Sequence, residues 1–326
     1  MNRHTFLRSL TACAAWTLVA GTAAAQTFPS RPIKMIVPFN AGASVDTIAR
    51  HMAQLMAKKL NQTVVVENRP GANAAIAAQA VANAPADGYT IFFASDSALV
   101  LNGLLYKKLA YDAERDFTAV ALGANVPLVM LVNASLPVTN LKEFVAYGKQ
   151  NPGILNYSST GTGGAFHLAG EMFSQAAGID MTHIPFTGGA PALQALLGGQ
   201  VQVMFGIVGS SLPHVRAGKL RALALVTKEP VNVLPGVPTL HGSGYPGLEA
   251  MVRYGLVVHK KTTPEVLAVL SEAANHALAD AGYREKLTGE GYLVPEPHKP
   301  AVFDQNLAAD RTRWQALIKS RNISLE

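Results

Sequence analysis

Cysteine is almost missing from these 326 residues: Cys13 is the only one. It lies in an N-terminal stretch where Arg3 and Arg8 precede an apolar run, Leu10 to Val19, that closes on Ala23-Ala24-Ala25. That is the pattern of a secretory signal peptide, with cleavage expected after Ala25. A membrane-spanning helix needs about 20 apolar residues, and Thr11, Thr17, Gly21 and Thr22 interrupt this one. A mature chain beginning at Gln26 then has no cysteine, which excludes a disulfide, a thiol nucleophile and a thiolate metal site. Charge is scarce too, at 15% of residues. Loss of Arg3 and Arg8 takes the net charge from +6 to +4. Lys and Arg are scattered, with no basic arm and no aromatic-basic interleaving, so nucleic acid is not the expected partner and a small anion is. No mature stretch is apolar enough for long enough to span a bilayer.

Catalytic and cofactor motifs are equally sparse. There is no Gly-x-Ser-x-Gly elbow, no His-Glu-x-x-His and no evident carboxylate pair. No Gly-Lys-Ser/Thr follows a glycine turn, and Phe166 stands where a dinucleotide fingerprint puts its third glycine. No cofactor is expected. His167 and Glu171, four residues apart, share a helix face, but no further ligands accompany them, so no metal is expected either. His183 reads as a core or cleft-edge histidine.

What is present is a repeated grammar. IKMIVP (33–38), TVVVEN (63–68) and TIFFAS (90–95) read as buried strands. Between the first two lies a helix, SVDTIARHMAQLMAKKL, with Ile48, Met52, Leu55 and Met56 on one face; an Ala-rich helix running to Ala84 follows the second. From Leu128 the pattern restarts: LVMLV, a helix capped by Thr139 or Asn140, ILNYSS, a glycine turn, a helix, then MTHIPF, TGG and another helix. VQVMFGIV and LRALALV add strands. Thr263 and Pro264 open a C-terminal helix that Gly282 is expected to stop. Strands alternating with helices imply an α/β fold with parallel sheets covered on both faces, and the 301 residues left after residue 25 suffice for two domains.

Two glycine turns, Asn40 to Ser44 and Ser159 to Ala165, occupy matching places in the two halves, each between a strand and a helix. The first N–H groups of a helix have no intrahelical partners, and the aligned peptide dipoles leave about half a positive charge there. Glycine admits positive φ and lets a ligand approach the backbone. If the turns face each other, peptide N–H groups from both halves can hold one carboxylate.

The motifs FPSRPIKMIVPFNAGASVD, VVVENRPGA, ADGYTIFFAS, LNYSSTGTGGAFHLAGEMF, HIPFTGGAPALQALLGGQVQVMF, SSLPHVRAGKLRALAL and VPTLHGSGYPG together resemble the solute-binding proteins of the tripartite tricarboxylate transporter systems, the Bug-type periplasmic receptors. The resemblance runs over essentially all of 28 to 326. It implies a type II periplasmic binding protein fold: two α/β lobes with a ligand cleft between them and two crossover segments. One lobe would comprise 26–126 and 254–326, the other 127–253. It further implies a monomeric periplasmic receptor without catalytic activity. The ligand would be a small organic carboxylate, a dicarboxylate or an aromatic acid, passed to the large and small membrane subunits of a permease. A sensor that presents its closed form to a sensor kinase is the alternative, and a periplasmic enzyme a more remote one.

The resemblance also assigns residues. The first turn falls on Asn40, Ala41, Gly42, Ala43 and Ser44, with Asp46 orienting the turn and bound water. The second falls on Ser159, Gly161, Thr162, Gly163, Gly164 and Ala165, with the family's histidine at His167. A third loop falls on Phe186, Thr187 and Gly188. This chain departs from the pattern in several places. Asn40-Ala41-Gly42-Ala43 replaces the habitual Pro-Pro-Gly-Gly, bringing a side-chain amide that is expected to bond the ligand. Gly164-Ala165 replaces frequent hydroxyl residues, and Gly206 stands at an often acidic position. Arg253, where an aromatic residue is common, is expected either to pair with a second carboxylate or to be a surface arginine at the hinge. Ser95 ends the third strand and Asp96 follows it; Asp96 either favours a polar ligand group or caps the helix that follows.

Overall fold

The computed structural model describes residues 27–320; the signal-peptide reading of 1–25 lies outside them. Strands β1 (Ile33–Val37), β2 (Val64–Asn68) and β3 (Thr90–Ser95) pair in parallel, and β4 (Phe117–Asn133) is a single 17-residue strand. Strands β5 (Leu155–Ser159), β6 (Met181–Pro185) and β7 (Val203–Ile207) form a second parallel set, followed by β8 (Leu220–Leu225) and β9 (Met251–His259). The order is β2-β1-β3-β9-β4-β7-β5-β6, with β8 on β4. Two lobes share this path because β4 changes partners along its length. Phe117 to Pro127 pair with β9, whereas Leu128 to Asn133 pair with β7 and β8.

The expected parallel sheets are therefore joined by antiparallel strands where the chain crosses between lobes. The first half of β4, FTAVALGANVP, gave no strand signal, because Gly123, Asn125 and Pro127 punctuate it and burial on both faces removes any alternation. Gly282 does not stop the helix as expected: that helix ends at Ala279, and Asp280 caps a new one, Ala281–Gly289, which contains Gly282.

Seven helices position the site or close the core. They are α1 (Ser44–Leu60), α2 (Ala75–Ala82), α3 (Leu141–Gln150), α4 (Ala165–Ala177), α5 (Gly189–Leu197), α6 (Val208–Arg216) and α7 (Pro264–Ala279). In α1 the residues Ile48, Met52, Leu55 and Met56 are all buried, as their spacing predicts. A long C-terminal helix, α8 (Pro300–Ser320), lays Phe303 and Trp314 into the core.

Candidate functional site

A cavity of about 230 Å³ lies between the lobes. Four helices begin on its wall. Gly42, Ala43 and Ser44 bring the start of α1, Ala165 and Phe166 that of α4. Gly189 and Ala190 bring α5, and Ile207 and Ser210 bring α6. None of these starts is capped: Ala43, Gly164, Gly188 and Ile207 make no side-chain cap hydrogen bond. Other helices of the chain are capped, with Asn140 accepting from Glu143 N, Thr263 from Val266 N and Asp280 from Tyr283 N, whereas α2 is not. Uncapped N–H groups and about half a positive charge per helix thus converge on one space. No acidic or basic side chain lines it.

The first turn is fixed from behind. Gly42 sits at φ +81°, and its N–H donates to Asp46 Oδ2 at 2.9 Å. Asp46 also accepts from Asn68 Nδ2 at 2.9 Å and pairs with Arg50 at 3.0 Å. Burial alone would raise its pKa, but the hydrogen bonds from Arg50, Gly42 and Asn68 outweigh burial and hold it below the ordinary value. Asp46 is therefore an anionic strut of the turn, and the Gly42 N–H is taken. Ala41 is exposed. The Asn40 amide, expected to bond a ligand, instead donates to the Thr187 carbonyl in the opposite lobe at 3.2 Å.

The second turn rests on stacked rings. Gly163, at φ +83°, donates its N–H to His167 Nδ1 at 3.1 Å. His167 is buried and stacks on His183 with ring centroids 3.9 Å apart, and Tyr157 lies 5.1 Å from His183. Ser159 Oγ is 2.6 Å from His183 Nε2 and accepts from Gly161 N at 3.1 Å. Burial pushes both imidazoles down to about 4, with the neighbouring His167 adding to the effect on His183. A neutral His167 is what the turn requires, since Nδ1 must accept. Its Nε2 lies 3.7 Å from Glu171 Oε1, and among the described residues no group of three or more His, Cys, Asp or Glu is placed to hold a metal.

Beside the cavity, Gly161, Thr162, Phe186 and Thr187 share a second space of about 280 Å³ with Asn73 and Tyr106. Here the lobes also touch directly. Tyr106 donates to the Thr162 carbonyl at 2.7 Å, and a Cβ on Gly164 would stand 3.1 Å from Asn73 Oδ1. Gly188, just before α5, approaches the Asn40 amide. Asn73 sits in a run of left-handed residues, Ala72, Asn73 and Ala74, held by Asn102, which accepts from Asn73 Nδ2 at 3.0 Å and donates to Asn73 O at 2.9 Å.

Of the sequence-predicted residues, Gly42, Ala43, Ser44, Ser95 and Ala165 line the cavity; beyond the turn residues already placed, Arg253, Asp96 and Gly206 also stand away from the wall. Arg253 is not free to pair with a ligand: Nε bonds Asp310 on α8 and Nη1 bonds Asn125 Oδ1 at 2.6 Å. Asn125 is its cross-strand register partner, so the guanidinium ties the two crossing strands to a helix. Asp96 is buried and accepts from Ser97 N at 2.9 Å, the capping alternative; burial first, then Asp310, pushes its pKa up to about 7. Gly206 lies inside β7 opposite Val129, where a Cβ would meet Leu131 and Met204 at 3.2 Å. Its small size serves packing, not the charge of the cleft. Ser95, by contrast, lines the cavity. Sequence reasoning missed Tyr254, Ser97 and the apolar wall of Phe39, Leu193 and Met204. Buried strands and helices contain such residues everywhere, so nothing local marks those that border a cleft.

With this geometry in place, comparison with known proteins decides the family. Residues 48–323 match the model of the tripartite tricarboxylate transporter family receptor. The chain belongs to that family. As a Bug-type member of it, the protein is a solute-binding receptor and not an enzyme. It is similar to the solved periplasmic binding protein BugD, with 32% identity, a TM-score of 0.86, and coverage of 92% of this chain and 100% of that one. The structure of Rpa4515 from R. palustris with adipate is similar at 31% identity and a TM-score of 0.86, covering 91% and 99%. MatC from Rhodopseudomonas palustris with bound malate is similar at 34% identity and a TM-score of 0.85, covering 89% and 100%. The two-lobe architecture expected from the motifs is thus the fold of this receptor family.

Proposed function

We propose that this receptor, exported to the periplasm by its N-terminal signal peptide, captures a small organic carboxylate between its lobes. It then passes the acid, in the closed form, to the large and small membrane subunits of a tripartite tricarboxylate-type permease. Residues 26–126 with 254–326 make one jaw and 127–253 the other. The observation that carries this reading is the convergence of four uncapped helix starts, from both lobes, on a cavity with no basic side chain. The ligand-binding residues are then Ala43, Ser44, Ala165, Gly189 and the peptides that follow them, and Asp46, Gly163 and His167 set the turns. A charge-assisted hydrogen bond contributes about 1.5 to 3 kcal/mol. Four of them reach the roughly 8 kcal/mol of micromolar binding before ordering costs. Adipate and malate in the related structures are both carboxylates, which agrees with this chemistry.

A thermal-shift screen of carboxylic acids against their methyl esters tests it. A ligand at a hundred times its dissociation constant adds about 2.7 kcal/mol to stability, so a cognate acid raises the melting temperature and its ester does not. Equal shifts from acid and ester, or none from any acid, would refute the reading.

A further inference from the structure

The first cavity is not the whole of the space between the lobes. The second space, of about 280 Å³, shares the wall residues Phe39 and Thr160 with it, so the two adjoin. At about 230 Å³ the first cavity is smaller than the roughly 300 to 1,000 Å³ usual for a small-molecule site; joined to the second it falls inside that range. Both lobes build the second space. Pro70 to Ala74 and Tyr106 come from the lobe of β1, and Thr160 to Thr162, Phe186 and Thr187 from the other. The bonds from Tyr106 to the Thr162 carbonyl and from Asn40 to the Thr187 carbonyl hold those walls together.

The second space differs in chemistry from the first. Among the described residues, no member of helices α1 to α8 lines it, so the helix-start N–H groups that can hold a carboxylate stay in the first cavity. What it offers is carbon: the rings of Phe39, Tyr106 and Phe186 and the side chain of Pro70, with no charged side chain among its described wall residues. Aromatic walls of this kind bury apolar surface and make offset or edge contacts with a further ring. Ala72, Asn73 and Ala74 all lie on this wall in the left-handed region, which residues other than glycine avoid. Such strain is retained where a shape is needed.

We propose that the second space is a subsite for an uncharged, apolar arm of the ligand. The ligand is then an aryl- or alkyl-substituted organic acid. Its carboxylate, or both carboxylates of a diacid, stay with the helix starts of the first cavity, and its arm passes Phe39 and Thr160 to lie against Tyr106 and Phe186. The proposal rests on the carboxylate reading given above and extends it to the rest of the ligand.

The test is calorimetric titration with acids that differ only in the arm: propionate against 3-phenylpropionate, and succinate against benzylsuccinate. A third comparison sets the best acid of the thermal screen against its phenyl- and propyl-substituted homologues. In the pair that binds most tightly, the armed acid is expected to bind about tenfold tighter than the bare one, as burial of about two methylenes gives. T187W, at an exposed position that lines the second space and not the first, fills that space. In it the ratio of armed to bare acid is expected to fall to about one. F186A, which strips one aromatic wall, is expected to lower the same ratio about threefold. An armed acid that binds no tighter than the bare one in every pair overturns the proposal. So does a ratio that survives T187W, including a loss of both acids by one common factor. Should a variant fail to fold, as read from its melting temperature, the wild-type ratios and the other variant decide. No binding by any acid, bare or armed, would instead remove the carboxylate reading on which the proposal stands.

Discussion

The hydroxyl of Tyr106 donates to the carbonyl of Thr162 at 2.7 Å, a bond that joins the lobe of β1 to the glycine turn of the other lobe. It reaches the main chain of the turn that opens α4, so it reports the position of that turn and not the identity of a side chain. If the lobes close on a ligand as proposed, closure and this bond are coupled. Y106F is expected to raise the dissociation rate of a bound acid about fivefold, since one neutral hydrogen bond contributes about 1 kcal/mol. Unliganded stability should change little, and stopped-flow dissociation measures the first effect. An unchanged rate would mean that the contact is incidental to closure.

Gly163 tests the second turn more severely. At φ +83° any side chain is strained, a β-branched one most of all, and the bond from its N–H to His167 Nδ1 depends on that conformation. G163V should therefore cost at least about 1 to 2 kcal/mol of stability and remove the thermal shift given by a cognate acid. G42A is the milder counterpart, because a Cβ at Gly42 meets nothing within 4 Å and the cost is backbone strain alone. Full ligand binding by G163V would show that the turn does not set the site.

Protonation gives opposing pH dependences that variants can separate. His167 and His183 fall from 6.5 to about 4 on folding, so the unfolded chain takes up protons that the folded one refuses. Their contribution is complete above pH 6.5 and drains away as pH falls toward 4; His167 alone accounts for about 3 kcal/mol. Asp96 behaves in the opposite sense. Its carboxyl rises from 3.8 to about 7, so its contribution is complete below 3.8 and is lost as pH rises through 7. H167N, which retains an acceptor for Gly163, should flatten the loss of stability between pH 6.5 and 4. D96N should steepen the rise of stability across the same range. Urea midpoints at pH 7.5, 6 and 4.5 read both slopes, and two parallel curves would contradict these assignments.

Arg253 should matter for the hinge and not for selectivity. Its guanidinium is mostly buried against Asp310, whose side chain is 7% exposed, and against Asn125 across the strand pair. Removing Arg253 leaves the buried Asp310 with only the half-exposed Arg313 at 3.8 Å, so R253A should lose about 3 kcal/mol of stability. Monoacids and diacids should weaken by the same factor in calorimetry. A selective loss of diacids would restore the ligand role that the residue type first suggested.

Much of this was legible in the chain before any coordinates. The strands at 33, 64, 90, 155 and 181 announce themselves by apolar runs bounded by Gly, Pro and Asn, and α1 by its 3.6-residue stripe. The two glycine turns and Ser95 were visible for the same local reason. What was hidden depends on distant partners. Asn40 looks like a ligand amide until Thr187 is seen opposite, and Arg253 looks like a free cation until α8 brings Asp310 to it. The histidine stack needs β5 and β6 side by side, a pairing that no spacing in the sequence states.

The most direct measurement follows peptide N–H resonances while a cognate acid is titrated into isotope-labelled protein. The amides of Ser44, Val45, Ala165, Phe166 and Gly189 are predicted to move downfield together and to saturate at one concentration, because a single carboxylate accepts from both lobes. Shifts confined to one lobe, or a response centred on side chains away from these helix starts, would contradict the account.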